Sequence, residues 1–187
     1  MKSIAFVGAH SSGKSTLINA CVDAFRGDKV KVISGLTRAI INRGFPLEKN
    51  SNVDSYTNYI RDQLKAERKI ETRDTDLLFS DRTVIDAASY ALVNSNLPRP
   101  FIPKYFVEML LEIAILEAQR FNLFVYCPVE FPIVQEDFRP IDEQYRQDVG
   151  LQVKDLLEDH NLQYIVASGD VATRLSTTKL AIDEIYG

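Results

Sequence analysis

Gly8-Ala9-His10-Ser11-Ser12-Gly13-Lys14-Ser15-Thr16 is the stretch that decides the fold of this chain. Gly8 and Gly13 allow a tight loop whose backbone N–H groups point inward at phosphate. Lys14 then reaches β- and γ-phosphates, and the Ser15 hydroxyl is placed to ligate Mg²⁺. The flanks agree with this reading. Ile4-Ala5-Phe6-Val7 is a short apolar run of the kind found in buried parallel strands. Leu17, Ile18, Cys21, Val22 and Phe25 follow at helical spacing. Strand, loop and helix N-terminus together make an anion site, because unpaired N–H groups and the helix dipole both favour negative charge. Gly8, His10, Ser11, Ser12, Gly13, Lys14, Ser15 and Thr16 are therefore candidate contacts to a nucleoside triphosphate.

Composition narrows the class. A chain of 187 residues suits one α/β domain with a single core. Its formal charge of −4 and its lack of Lys/Arg blocks leave no footprint for duplex DNA or a membrane surface. Cys21 and Cys127 have no C-x-x-C partner and read as inert thiols of a reducing, cytoplasmic compartment. Met1-Lys2-Ser3 leads directly into the first strand, which leaves no signal peptide to expect. The longest apolar segment, 105–118, is interrupted by Glu108, Glu112 and Glu117, which fits a core helix or a dimer seam and not a membrane span.

Short apolar or β-branched runs predict strands at 4–7, 30–33, 76–79, 123–126 and 164–166. Helical patterns lie between and after them, at 14–25, 37–42, 55–70, 84–93, 103–119, 143–158 and 171–185. No repeat or linker divides the chain, so one domain over 1–187 is expected. Alternating strands and helices imply a parallel sheet covered on both faces, with ligand beyond the carboxyl ends of the strands.

Those strand ends hold the remaining candidates. Leu77-Leu78-Phe79-Ser80-Asp81-Arg82 delivers an acid beside the phosphate loop. Asp81 there holds Mg²⁺ directly or through water, takes the proton of an acceptor hydroxyl, or caps the next helix. Arg82, Asp86 and Tyr90 share one helix face, which lines an acceptor pocket or carries a surface ion pair. Arg38, after the second strand, stands at the same edge. Arg61, Lys65 and Arg68 form a stripe opposite Tyr56, Tyr59, Ile60 and Leu64, the pattern of a surface helix. The stretch 128–146 breaks regular structure at Phe131-Pro132-Ile133 and then gathers Asp137, Arg139, Asp142 and Arg146. This is a candidate lid that brings Arg139 and Arg146 to a transferring phosphate. Ala167-Ser168-Gly169-Asp170 either contacts a nucleobase through its backbone or only connects strand to helix.

The guanine-reading and switch motifs of GTPases and the Ser-Gly-Gly signature of ABC ATPases are absent from the sequence, and the chain is short for an AAA+ module. It resembles the P-loop kinase group containing the ribosylnicotinamide kinase domain of bacterial NAD-biosynthesis regulators and, more loosely, nucleoside and thymidylate kinases. The resemblance is carried by residues 8–16, by Arg38 and Asp81, by Phe121-Asn122-Leu123-Phe124-Val125, and by Asp137-Phe138-Arg139 with Arg146. It departs at Gly35-Leu36-Thr37, where an acid often precedes the Arg, and over 43–75, which aligns with nothing in the group. The resemblance implies a P-loop NTPase fold with a five-stranded parallel sheet and ATP·Mg²⁺-dependent phosphorylation of a nucleoside- or nucleotide-like acceptor. In that reading Lys14, Asp81, Arg139 and Arg146 are catalytic, and Arg38, Arg82, Asp86 and Tyr90 bind the acceptor. A kinase of hydroxymethylated bases in DNA, which the acidic charge disfavours, and a regulatory ATPase without an acceptor are the alternatives.

Overall fold

Ile4, Ala5, Phe6 and Val7 are fully buried and form the centre of β1 (Lys2–Val7), the middle strand of the sheet. The computed structural model describes residues 1–70, 74–98, 100–132 and 142–186. β2 (Val30–Ile33), β3 (Leu77–Asp81), β4 (Leu123–Tyr126) and β5 (Tyr164–Val166) join β1 in the order β2-β3-β1-β4-β5. Every neighbouring pair is parallel. Among the described residues the helices are α1 (Lys14–Ala24), α2 (Leu36–Asn42), α3 (Val53–Arg68), α4 (Val84–Ser95), α5 (Lys104–Ala118), α6 (Glu143–Asp159) and α7 (Val171–Tyr186).

Strand alternation divides the core between two faces. Ile4 and Phe6 point to one side, where Leu17 and Cys21 of α1, Phe25 at its C-cap and Ile182 of α7 pack with Phe79 and Val125. Ala5 and Val7 point to the other, against Ile40, Tyr56, Ile85, Leu110, Val149 and Leu157 from α2 to α6. Both faces are thus sealed, and the open edge lies at the carboxyl ends of the strands. The register places Phe6 beside Asp81 and Val7 beside Tyr126. The loops after β1, β3 and β4 therefore leave the sheet side by side.

Two boundaries differ from the sequence pattern for local reasons. β3 runs on through Ser80 and Asp81, because both pair with β1 even though they end the apolar run. α3 starts at Val53, before Ser55, because Asn52 accepts the Ser55 N–H at 2.9 Å and closes a capping box. α5 buries Phe106, Val107, Leu110 and Ala114, and leaves Tyr105, Met109 and Leu116 exposed on its other face. No helix among the described residues is long and apolar enough to cross a membrane.

Candidate active site

The phosphate loop departs from β1 in a conformation that only glycine allows at two points. Gly8 has φ +139°, and a Cβ there would stand 2.5 Å from the Cys127 carbonyl oxygen. Gly13, at φ +85°, is the N-cap of α1 and offers no side chain to its first turn. Among the described residues the amides of Gly13, Lys14 and Ser15 donate to no protein acceptor. This leaves a cradle of N–H groups at a helix N-terminus, open to an anion.

Lys14 is folded back into this cradle. Its Nζ donates to the carbonyls of Gly8 (3.0 Å) and Ala9 (2.6 Å) and to Ser12 Oγ (3.2 Å). Burial, assisted by Arg82, lowers its pKa to about 8, with Asp81 and Asp86 opposing. Ser15 Oγ donates to Asp81 Oδ2 at 2.8 Å, across 66 residues of sequence. Asp81 does not cap α4. Thr83 does, accepting the Ile85 N–H, with Asp86 returning the box by accepting the Thr83 N–H at 2.8 Å. A hydroxyl and a carboxylate at hydrogen-bond distance form a hard-oxygen pair that fits Mg²⁺, which keeps phosphate and water as its other ligands. Among the described residues no group of three or more His, Cys, Asp and Glu gathers to hold a metal.

Two hollows meet at this point. A groove of about 770 Å³ runs over the loop and is bordered by Ser11 to Asn19, Ser34 to Arg38, Asp81 and Arg82, and at its far end by Phe131, Pro132, Val171 and Arg174. A narrower cleft of about 50 Å³ lies between α3 and α4 and is lined by Leu47, Glu48, Ser51, Ser55, Tyr56, Tyr59, Asp86 and Tyr90. Thr37 and Arg82 belong to both. The cleft is too small to enclose a whole nucleoside.

Arg82 and Asp86 are buried in the cleft wall and are not a surface pair. Arg82 Nη1 donates to the Gly8 carbonyl (3.2 Å) and to Asp86 Oδ1 (3.4 Å), and its guanidinium lies 5.5 Å from the Tyr90 ring centroid. Asp86 Oδ1 also accepts the Gly8 N–H at 3.1 Å. The pair therefore bolts the start of the phosphate loop to α4. Arg82 itself has φ +77°, and the Gln63 amide and Ser80 hydroxyl hold its carbonyl, at 3.3 and 2.7 Å. Burial raises the Asp86 carboxyl, against the opposing pull of Arg82 and Lys14. It also raises the phenols of Tyr56, Tyr59 and Tyr90, which stay neutral donors and acceptors.

The sequence candidates are not all brought to one place. Ser11, Ser12, Gly13, Lys14, Ser15 and Thr16 border the groove, and Arg38 is exposed at its rim. His10 is turned away from the groove: its N–H donates to the Tyr90 hydroxyl at 3.0 Å, and its ring faces Tyr90 and Glu48. The Gly8 and His10 amides thus serve the protein, and the phosphate cradle begins further along the loop. Arg146 is buried beneath the loop after β4. Its Nη2 donates to the Phe131 carbonyl and to Glu143, while Nε and Nη1 have no hydrogen-bond partner among the described residues. It does not border the groove. Asp137, Arg139 and the middle of the candidate lid lie outside the described residues.

Several residues at the site carried no distinct signal in the sequence. Tyr56 and Tyr59 read as the apolar side of a helix, yet both line the cleft. Asn94 Nδ2 donates to the Glu48 carbonyl (2.6 Å) and the Tyr56 hydroxyl (2.7 Å), and its Oδ1 accepts from Tyr145 (2.9 Å). It thereby fixes the cleft wall to α4 and α6. Lys49 pairs with Asp142 at the cap of α6. Burial raises the thiols of Cys21 and Cys127, to about 12 and about 11, which keeps them protonated and unreactive.

The sequence pattern of a family described as "AAA domain" matches residues 3–174. The chain belongs to this AAA-domain family. The match spans the sheet and the groove and ends on the first turn of α7, so short length does not count against an AAA assignment. No curated protein matches the chain. Among solved structures, the AAA-domain chain is similar to the NadR protein in complex with NR, at 18% identity and a TM-score of 0.66 over 89% of this chain and 43% of that one. It is also similar to deoxyadenosine kinase from M. mycoides (14% identity, TM-score 0.70, 98% and 99% coverage). Thymidylate kinase from Candida albicans is a third (14%, 0.69, 99% and 92%). The chain spans less than half the length of the NadR chains it matches. The fold is thus a P-loop α/β fold shared with nucleoside and nucleotide kinases, with the five-stranded parallel sheet that the sequence led us to expect.

Proposed function

We propose that this protein is an ATP·Mg²⁺-dependent kinase that transfers the γ-phosphoryl group to a nucleoside- or nucleotide-like acceptor. One observation carries the reading: the phosphate groove and the tyrosine-lined cleft meet at Thr37 and Arg82, beside the Ser15–Asp81 pair. A loop that only hydrolysed ATP would have no use for a second hollow opening at its reactive end. The likeness of fold to two kinases, and to the NadR protein in complex with NR, supports the same reading.

In this mechanism the triphosphate takes the free amides of the loop, and Lys14 exchanges the Gly8 and Ala9 carbonyls for β- and γ-phosphate oxygens. Ser15 and Asp81 would hold Mg²⁺, which neutralises charge on the phosphates. The acceptor hydroxyl attacks the γ-phosphorus in line. A new P–O bond forms, the bond to the β,γ-bridging oxygen breaks, and ADP departs with that electron pair. Asp81, the carboxylate at the junction, receives the hydroxyl proton. Arg38 and Arg82 orient the acceptor with Asp86 and Tyr90, while Arg139 and Arg146 would close over the γ-phosphate. For Arg146 this requires release of the Phe131 carbonyl.

Family membership favours a second reading, an ATP-binding regulatory ATPase without an acceptor. The deciding experiment follows γ-labelled ATP·Mg²⁺ with pooled nucleosides, ribosylnicotinamide, nucleoside monophosphates and oligonucleotides carrying hydroxymethylated bases. Label on a small acceptor, lost in Lys14→Ala, is the expected result. Label on the oligonucleotide would move the acceptor to DNA. Label released only as inorganic phosphate, at a rate no acceptor alters, would establish the ATPase instead.

A further inference from the structure

Each end of the phosphate loop has a carbonyl held by an arginine. At the far end Arg174, 1% exposed, donates from Nη1 to the Ser12 carbonyl (2.7 Å). It is fixed there by the Gly169 carbonyl on Nε (2.9 Å) and by Glu130 Oε2 on Nη2 (2.7 Å). At the near end Arg82 Nη1 donates to the Gly8 carbonyl (3.2 Å). Arg174 does this from a regular helix, whereas Arg82 does it from φ +77°, a conformation that glycine adopts at no steric cost. A large side chain kept at a strained backbone position points to a use for that side chain. The strain persists because the peptide is pinned on both sides. The Arg82 N–H donates to the Phe6 carbonyl (2.9 Å), and its own carbonyl accepts from Ser80 Oγ (2.7 Å) and Gln63 Nε2 (3.3 Å).

Gln63, fully buried on α3, organises this clasp. Its Nε2 also donates to Glu67 Oε1 (2.7 Å) and to Ser80 Oγ (3.0 Å), and its Oε1 accepts from the Tyr59 hydroxyl (3.4 Å). The Arg82 carbonyl takes only a donor, so the amide nitrogen must face it and the amide oxygen must face the Tyr59 phenol. With Ser80 Oγ engaged as an acceptor, the Ser80 proton goes to the Arg82 carbonyl. Gln63 thus holds that carbonyl both directly and through Ser80. We propose that Gln63 is a positioning residue for triphosphate binding: it fixes Arg82 so that the guanidinium stays on the Gly8 carbonyl when Lys14 turns to phosphate. Lys14 gives up the Gly8 and Ala9 carbonyls in that exchange, and a buried carbonyl left bare opposes it. For Gly8 a second donor, Arg82, is already in place. The exchange belongs to the proposed function, on which this role for Gln63 rests.

Calorimetric titration with Mg²⁺·ATP in two backgrounds tests this, with the fold of each variant read by circular dichroism. Gln63→Met keeps the length of the side chain and removes its hydrogen bonds. It is expected to weaken Mg²⁺·ATP binding roughly 5- to 30-fold in the otherwise wild-type protein. Arg82→Gly relaxes the backbone and removes the guanidinium, and is expected to weaken binding at least as much. Adding Gln63→Met to Arg82→Gly is expected to cost nothing further. Loss by the same factor in both backgrounds would reveal packing alone and overturn the positioning role. Unaltered affinity in a folded Gln63→Met or Arg82→Gly variant would overturn it too. Should Gln63→Met fail to fold around Glu67, then without its amide partner, Gln63→Met/Glu67→Met removes both and carries the same expectation. Should Arg82→Gly fail, Arg82→Gly/Asp86→Asn removes the buried counter-charge as well and takes its place in the comparison. Wild-type protein that binds no Mg²⁺·ATP would instead refute the proposed function, and this role with it.

Discussion

In the proposed mechanism Asp81 bears the heaviest chemical demand of any single side chain at the site. Its Oδ2 already accepts from Ser15, so the carboxylate is aligned before any ligand arrives. Asp81→Asn keeps this shape and removes the charge. Turnover is expected to fall by ~10²–10⁴-fold, with the Mg²⁺ concentration for half-maximal rate shifted upward. Initial rates across a Mg²⁺ titration test both effects. This residue was legible in the sequence because its chemistry is local: an apolar strand ends in an acid, and the sheet carries it to the loop. Tyr56, Tyr59 and Asn94 were not, because a tyrosine facing a core and one facing a cleft have the same helical spacing. Arg174 was hidden for a similar reason. Its partners Ser12 and Glu130 come from loops far away in sequence, and no spacing rule connects them.

At the scale of elements, α4 is the support of the phosphate loop. Its capping box and its grip on Gly8 share one carboxylate, Asp86. The two halves of the box are therefore unequal. Thr83→Ala removes one cap acceptor and is expected to cost about 1 kcal/mol, while the amide at position 83 continues to donate to Asp86. Asp86→Ala strips the buried Arg82 of its counter-charge and leaves two amides unpaired, an expected loss of about 3–5 kcal/mol. Urea denaturation of both variants measures the difference, and equal losses would contradict the shared role. The capping residue was readable in principle, since Thr83-Val84-Ile85-Asp86 is a box pattern. Asp81, two residues earlier, is an equally good cap by residue type, so the sequence alone offers both. β3 was read two residues short because polarity ends an apolar run before pairing ends a strand.

For the whole molecule, the groove is bordered by the segments that follow all five strands, so a nucleotide bound there as proposed is coupled to global stability. Saturation with Mg²⁺·ATP at a hundred times its Kd is expected to add ≈ 2.7 kcal/mol, or a Tm increase of roughly 5–10 °C for a domain of this size. Thermal melts with and without Mg²⁺·ATP, and with Lys14→Ala as control, provide the measurement. The overall architecture was the most legible level, because alternating strand and helix patterns with a phosphate loop after the first strand admit few arrangements. The cleft between α3 and α4 was the least legible. Its walls come from α4 and from 47–59, a stretch whose sequence carries no recognisable motif of the kinase group.

The bond from Arg174 to the Ser12 carbonyl spans 162 residues. A ribosome makes Ser12 162 residues ahead of Arg174, so during synthesis the loop exists before its fastener. Until α7 docks, the growing chain presents the glycines and Lys14 without the clasp that shapes them, and a passing nucleotide meets an unformed cradle. Ligand capture thereby waits on α7, and is reserved for chains translated past Arg174.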